Sequence, residues 1–422
     1  MGGLLGIDMA GEANLMRMVS THLSADLSRY LEDPDVLIRW LVNPDFGGSW
    51  ASGVLVGMGP DHWGADSEEW VFHLQFAPDD PAAEDPAAIL ERIRAAMGIP
   101  DFDPVIHHIS PWTMQSLVAE RFREGRVFLL GDAAHRHPPT GGLGLNSAVH
   151  DAYNLAWKLA AVLQGRAGAA LLETYEPERK PVDAANVETA VKAAMNHFTI
   201  DAALGLSPDN TAEANWAAIR PLWQELPESS ARRQAVNQAV VSQTVEFRHH
   251  NVEFGYEYDP ATSSAVIDDG SPQHEPLDAV RLYEPSTRPG SPLPHAWVER
   301  QGERIALGTL VEPGHFVLIA GEHGQAWVDA AEQIAADRGL PLRAVRVGVL
   351  AGDFIDVRCA WLRNREIAPD GALLVRPDRY VGFRSHACVA DPYAVLDAAL
   401  AHILAHELPV DAVNGRQPSL LS

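Results

Sequence analysis

Over its first 120 or so residues the chain is made of short apolar runs, of which 69–76 alternates apolar and polar positions with the period of a half-exposed strand. Residues 14–22 and 35–43 (DVLIRWLVN) read as strands, with a helical turn at 25–31 between them. Residues 53–58 and 69–76 (EWVFHLQF) follow, and the Gly, Asn and Pro turns between these runs predict an antiparallel sheet. His73 and Gln75 share one face of the last run, read as solvated rather than as a pocket wall. The period then lengthens. Residues 86–97 predict an amphipathic helix, before a strand at 106–112 ending in ISPWT and a further run at 117–122.

A short β-branched and aromatic run at 127–130 predicts a buried strand, and a broad apolar stripe predicts a helix at 148–163 with Asn146 as its N-cap. Residues 169–174 and a turn at 176–181 (EPERKP) lead into an Ala-rich helix at 182–197; Glu178 and Arg179 are expected to lock that turn to neighbouring helices. Residues 201–245 read as helices broken by Pro208, Pro221 and Pro227, with a face suited either to a substrate cavity or to a homodimer contact. Residues 247–279 read as a linker crossing between domains. From about Ser286 a new unit begins, with strands at 316–320, 344–349 and 373–375 and helices at 327–338 and 393–406. This β–α–β order with a closing helix fits a thioredoxin-like domain. Gly321-Glu-His-Gly324 stands where a redox member carries CxxC, so dithiol exchange is excluded on residue type.

At 422 residues the chain is long enough for two or three domains, and its 46% of apolar residues can fill their cores. A formal net charge of −25 argues against nucleic acid or an anionic membrane as partner, since phosphate binding needs a basic footprint. Cys359 and Cys388 form no CxxC, which suits a reducing cytoplasm, and no apolar run reads as a signal peptide or a membrane span.

Candidate chemistry concentrates in residues 125–158, GRVFLLGDAAHRHPPTGGLGLNSAVHDAYNLAWK. The order is strand, acid (Asp132), a loop stiffened by Pro138 and Pro139 and bared by Gly141, Gly142 and Gly144, then a helix N-terminus. Helix N-termini favour an anion or a polarised carbonyl, while Asp132 can accept hydrogen bonds from ligand hydroxyls. A ligand with a polyol chain and an electron-accepting ring, such as a flavin, satisfies both. The near match of GLGLNS to GxGxxG is rejected as a dinucleotide fingerprint, because the loop separates it from its strand. No metal is expected. His107 and His108 point to opposite faces of a strand, and His135 and His137 are read as loop residues beside the cofactor.

GDAAH, PPTGG, GLN, DAYNLAWKLA and LLETYEPERKPV, in that order and spacing, resemble the second flavin-binding motif of the FAD-dependent aromatic-ring hydroxylases of p-hydroxybenzoate and phenol hydroxylase type. SWASGVLVGMGPDHWG, ISPWT, TRPGSPLPHAW and RPDRYV extend the resemblance along nearly the whole chain, closest to the 2,4-dichlorophenol 6-monooxygenase branch. The resemblance implies a mixed α/β fold: a flavin fold with an antiparallel substrate-domain sheet plus a thioredoxin-like C-terminal domain. It implies a substrate sheet over 1–115, the remainder of the FAD-binding domain over 116–200, a helical extension and linker over 201–280, and the thioredoxin-like unit over 281–422. Asp132 would meet the ribityl hydroxyls, Pro139 and Gly141 would lie along the flavin, and the backbone of Gly144, Leu145 and Asn146 would face its pyrimidine edge. The implied reaction is NADPH-dependent transfer of one oxygen atom from O2 to a phenol, ortho to its hydroxyl. In that family a strand–GxGxxG–helix unit upstream of LLGIDMAGE holds the ADP half of FAD; this sequence has no such unit, which implies a truncated start or a natural remnant. The alternative is a noncatalytic fragment that no longer retains FAD, or a dimerisation scaffold.

Overall fold

The computed structural model describes residues 2–406 except 32, 34, 35, 60–67 and 274. Asp35, expected to open a strand, the 60–64 part of SWASGVLVGMGPDHWG and residues 407–422 of the C-terminal unit lie outside the described residues. The antiparallel sheet expected from the first runs is present. It comprises β1 (Met9–Ser24), β2 (Ile38–Trp40), β3 (Val54–Met58), β4 (Glu69–Phe76), β5 (Val105–Ala119) and β8 (His135–Arg136), in the order β2-β3-β4-β1-β5-β8. A two-stranded ribbon, β6 (Arg123–Glu124) with β7 (Val127–Phe128), leads from it.

Alternation along β1 and β4 gives the sheet two different faces. Val19, Leu23, Trp70, Phe72, Leu74 and Phe76 pack against α2 (Pro86–Met97) through Ile89 and Ile93. Asp85 caps that helix and Pro86 opens it, as its sequence signals require. The opposite face carries Met18, Ser20, His73, Trp112 and Met114 and borders a cavity. The runs at 106–112 and 117–122 are not two strands: β5 is continuous through ISPWT. Pro111 is tolerated because it pairs with Val19 of β1 on one side, while β8 reaches β5 only at Leu117 and Val118.

Behind the sheet lie α3 (Leu143–Leu163) and α4 (Tyr175–Asn196), followed by α5 (Phe198–Leu204), α6 (Ala212–Ile219), α7 (Pro227–Ser242) and α8 (His250–Phe254); a short α1 (Ser49–Ser52) precedes β3. The expected turn at 176–181 is instead the start of α4. Pro177 sits in the first turn, where its missing N–H costs nothing, and Pro181 is held inside the helix by buried ion pairs of Glu178 and Arg179. The linker is also tighter than a solvated crossing. Tyr258, Ser263, Ala265 and Val266 are buried, and Tyr258 stacks on Tyr380 with ring centroids 4.2 Å apart.

The C-terminal unit has β9 (Trp297–Arg300), β10 (Glu303–Ala306), β11 (Phe316–Ala320), α9 (Gln325–Arg338), β12 (Leu342–Gly348), β13 (Phe354–Ile355), α10 (Ala360–Asn364), β14 (Ala372–Val375), β15 (Val381–Ser385) and α11 (Pro392–Ile403). Its sheet runs β10-β9-β13-β12-β11-β14-β15, with β11 and β12 parallel and β14 and β15 antiparallel. Trp157 of α3 enters the core between this sheet and α9 and α11, edge-on to Phe316. Among the described residues no helix is long and apolar enough to cross a membrane.

Candidate functional site: a glycine-rich turn beside an apolar cavity

The expected strand at 127–130 shortens to β7, and a 3₁₀ turn at Gly131–Ala133 carries Asp132 out to the surface. Gly131 has φ 56°, a conformation that disfavours side chains, and a Cβ there would stand 3.1 Å from that of Ala148. Its N–H donates to Asp151 at 3.0 Å, which clamps the turn to α3. Pro138 is buried and Pro139 exposed, and Thr140 Oγ1 donates to the Ala190 carbonyl at 2.6 Å. Gly141 and Gly142 then take φ of 80° and 64° in succession, so α3 starts at Leu143. Asn146 is therefore not the N-cap. Gly142 holds that position, and Asn146 Nδ2 donates back to the Gly142 carbonyl at 2.8 Å.

No side chain caps α3, so the amides of its first turn are open to a ligand. Gly144 faces the His137 ring, where a Cβ would come to 3.3 Å. Gly131 against Ala148 and Gly144 against His137 fold the loop back on the helix start. Asp132, Pro139, Gly141, Gly144, Leu145 and Asn146 thus belong to one turn, with Asp132, Pro139, Leu145 and Asn146 exposed. An exposed carboxylate, bare glycines and an uncapped helix start fit a flavin with its hydroxylated chain.

Beneath the turn lies a sealed charge cluster that the sequence reading missed. Asp151 accepts from His135 Nε2 at 2.8 Å and from Arg179 Nε at 2.9 Å, and Arg179 also donates to Asp183 at 2.9 Å. His135, Asp151 and Asp183 offer ligand atoms within 4.8 Å of one another, but the cluster already contains its own cation in Arg179. Burial pushes the Asp183 carboxyl up to about 7, reinforced by the charge of Asp151. For Asp151 burial acts the same way, yet the His135 hydrogen bond and Arg179 outweigh it and bring the group down to about 2. The signal available in sequence was a charge inside the apolar stripe of a helix, Asp151 in HDAYNLAWK.

The cavity on the free face of the sheet has a volume of about 310 Å³, with Ile38, Trp40, Trp50, Val54, Val56 and Met114 among its wall residues. Pro139 and Thr140 close one side, so cavity and turn share a wall. Glu246 also borders it and accepts from His197 Nε2 at 2.7 Å, with the His197 ring stacked 3.7 Å from Trp40. His73 is half-buried in this wall rather than on a solvated face, and burial lowers its proton affinity. A larger cavity of about 750 Å³, bordered by Arg17, Arg92 and Asp201, includes none of the turn residues.

Residues 2–190 match the FAD binding domain family, and residues 286–406 match the aromatic-ring hydroxylase C-terminal family. The chain belongs to the FAD-dependent aromatic-ring hydroxylases, a family of monooxygenases with the mixed α/β fold expected from the sequence. It is 34% identical over 402 residues to 2,4-dichlorophenol 6-monooxygenase of Delftia acidovorans, covering 95% of this chain and 67% of that protein. To phenol 2-monooxygenase of a Pseudomonas species it is 38% identical over 331 residues, 78% of this chain and 53% of that protein. Among solved structures, the flavin-dependent monooxygenase PieE in complex with FAD and substrate is 34% identical with a TM-score of 0.85, over 96% of this chain and 68% of that chain. The chain thus spans between about half and two thirds of these relatives' lengths.

Proposed function

We propose that this chain is the part of a phenol-hydroxylating flavoprotein that seats the reactive ring of FAD on the turn from Asp132 to Asn146 and a single-ring phenol in the adjoining cavity. Asp132 accepts from the ribityl hydroxyls, Pro139 and Gly141 lie along the ring, and the amides of Gly144, Leu145 and Asn146 face its carbonyl edge. When bound, FAD supplies the activation of O2, with NADPH as the source of electrons. The chain's own residues orient both partners and exclude water: Trp40, Trp50, Trp112, Met18 and Met114 wall the phenol in. The observation that carries this reading is the shared wall of Pro139 and Thr140 between turn and cavity.

Cavity size supports a small, single-ring substrate, since about 310 Å³ is at the small end of the ~300–1,000 Å³ of ligand sites. The reading assigns 1–115 to substrate, 116–200 to flavin, 201–280 to the helical extension and linker, and 281–422 to a thioredoxin-like unit that braces α3 and α4, in a cytoplasmic enzyme. Asp132→Ala tests it. Losing hydrogen bonds from the ribityl chain to a charged acceptor should weaken FAD binding by roughly 1–3 kcal/mol in a flavin-fluorescence titration; unchanged binding rejects the assignment.

A further inference from the structure

Register sets Trp40 opposite Val54, Val54 opposite His73, and His73 opposite Ser20, so one ladder of side chains crosses the cavity wall. Within it, Ser20 Oγ lies 2.8 Å from His73 Nδ1, and Trp112 Nε1 donates to the same oxygen at 2.8 Å. An indole N–H can only donate, so it fills one lone pair of Ser20. The Ser20 hydroxyl proton then has His73 Nδ1 as its acceptor, which leaves the imidazole proton on Nε2. The opposite tautomer would point Nδ1–H at the second lone pair of Ser20 and leave the hydroxyl proton without a side-chain acceptor among the described residues. Burial keeps the ring neutral. Glu246, the other ionisable residue bordering this cavity among the described residues, is already engaged by His197.

We propose that His73 Nε2–H is the donor that anchors the ring oxygen of the aromatic substrate, with Ser20 and Trp112 as positioning residues that fix its tautomer. The proposal rests on the reading of this cavity as the substrate site. A neutral donor at that oxygen favours the phenolate, the more electron-rich ring, and pins the carbon that bears it, so the neighbouring ring carbon is presented in one place.

The test uses two probes on the purified chain, 4-nitrophenol and nitrobenzene, which share a ring but not the oxygen. Binding is followed by quenching of the cavity tryptophans, and ionisation by the absorbance of bound nitrophenol. His73→Phe should raise the Kd for 4-nitrophenol roughly ten- to a hundredfold and shift the bound probe toward its un-ionised band, as loss of a hydrogen bond to a charged group does. Nitrobenzene binding should stay within about twofold, which also shows that the variant folds. Ser20→Ala should give a smaller loss, and His73→Gln, which keeps a donor, should restore part of the affinity. Equal losses for both probes in His73→Phe, or a nitrophenol-specific loss in Glu246→Gln and none in His73→Phe, would overturn the proposal. Val56→Trp fills the cavity and should abolish binding of both; wild-type binding of both in that variant means the cavity is not the substrate site, and the functional reading falls with it.

Discussion

Asp151 and Asp183 share the guanidinium of Arg179 inside a sealed pocket, and their proton affinities are driven apart. The folded state holds the Asp183 proton more tightly than an unfolded chain does, so this group's contribution to stability is full below its ordinary value of 3.8 and is lost as pH rises through about 7. Asp151 works in the other direction, and its contribution is lost as pH falls toward about 2. The cluster with His135 titrates as one unit. Asp183→Asn should therefore flatten the decline of melting temperature between about pH 4 and pH 7, while keeping an acceptor for Arg179. A decline as steep as in the wild type would refute this role. Asp151 inside an apolar stripe marks a buried charge, but neither its partners nor the His73–Ser20 pair is legible in sequence. Asp151 and Arg179 are 28 positions apart, Ser20 and His73 53, and their meeting depends on helix packing and strand register.

Elements were most legible where backbone chemistry is local. The Gly and Pro residues of 138–144 mark the turn by themselves, and Asp85-Pro86 marks the start of α2. Reading failed where two local signals competed. Asn146 is a good cap, but two left-handed glycines start α3 a turn earlier; prolines argue for a break at 176–181, but tertiary ion pairs carry α4 through. The turn's geometry gives a paired prediction. Gly98 and Gly131 have φ of 68° and 56°, but an added Cβ at Gly98 meets open space whereas at Gly131 it meets Ala148. Both alanine variants should lose about 1–2 kcal/mol of unfolding free energy from the left-handed backbone. Gly131→Ala alone should also weaken flavin binding, measured by fluorescence titration; equal flavin affinity in the two variants would show that the turn does not seat the ring.

At the scale of the whole molecule, Glu178 is the buried point where three parts of the chain meet. It accepts from Asn154 and Lys158 of α3 at 2.6 Å each, from Ser263 of the linker at 2.6 Å, and from Arg376 of the C-terminal unit at 2.6 and 2.8 Å. Burial brings the Lys158 ammonium down to about 8, with Glu178 opposing that shift. Lock-like behaviour of Glu178 and Arg179 toward neighbouring helices was legible, but the reach to Arg376, 198 positions away, was not. Glu178→Gln leaves buried cations underpaired and should cost roughly 3–5 kcal/mol in denaturant unfolding. It should also expose the linker at 247–279 to protease before the rest of the chain; wild-type stability and cleavage would contradict the brace. Seating of the flavin ring on the turn is the claim on which substrate placement and cavity choice depend, and a crystal structure of this chain soaked with FAD tests it most directly. The ring should lie against Asp132 to Asn146, bordering the cavity closed by Pro139 and Thr140; a ring bound elsewhere with that turn bare would contradict the account.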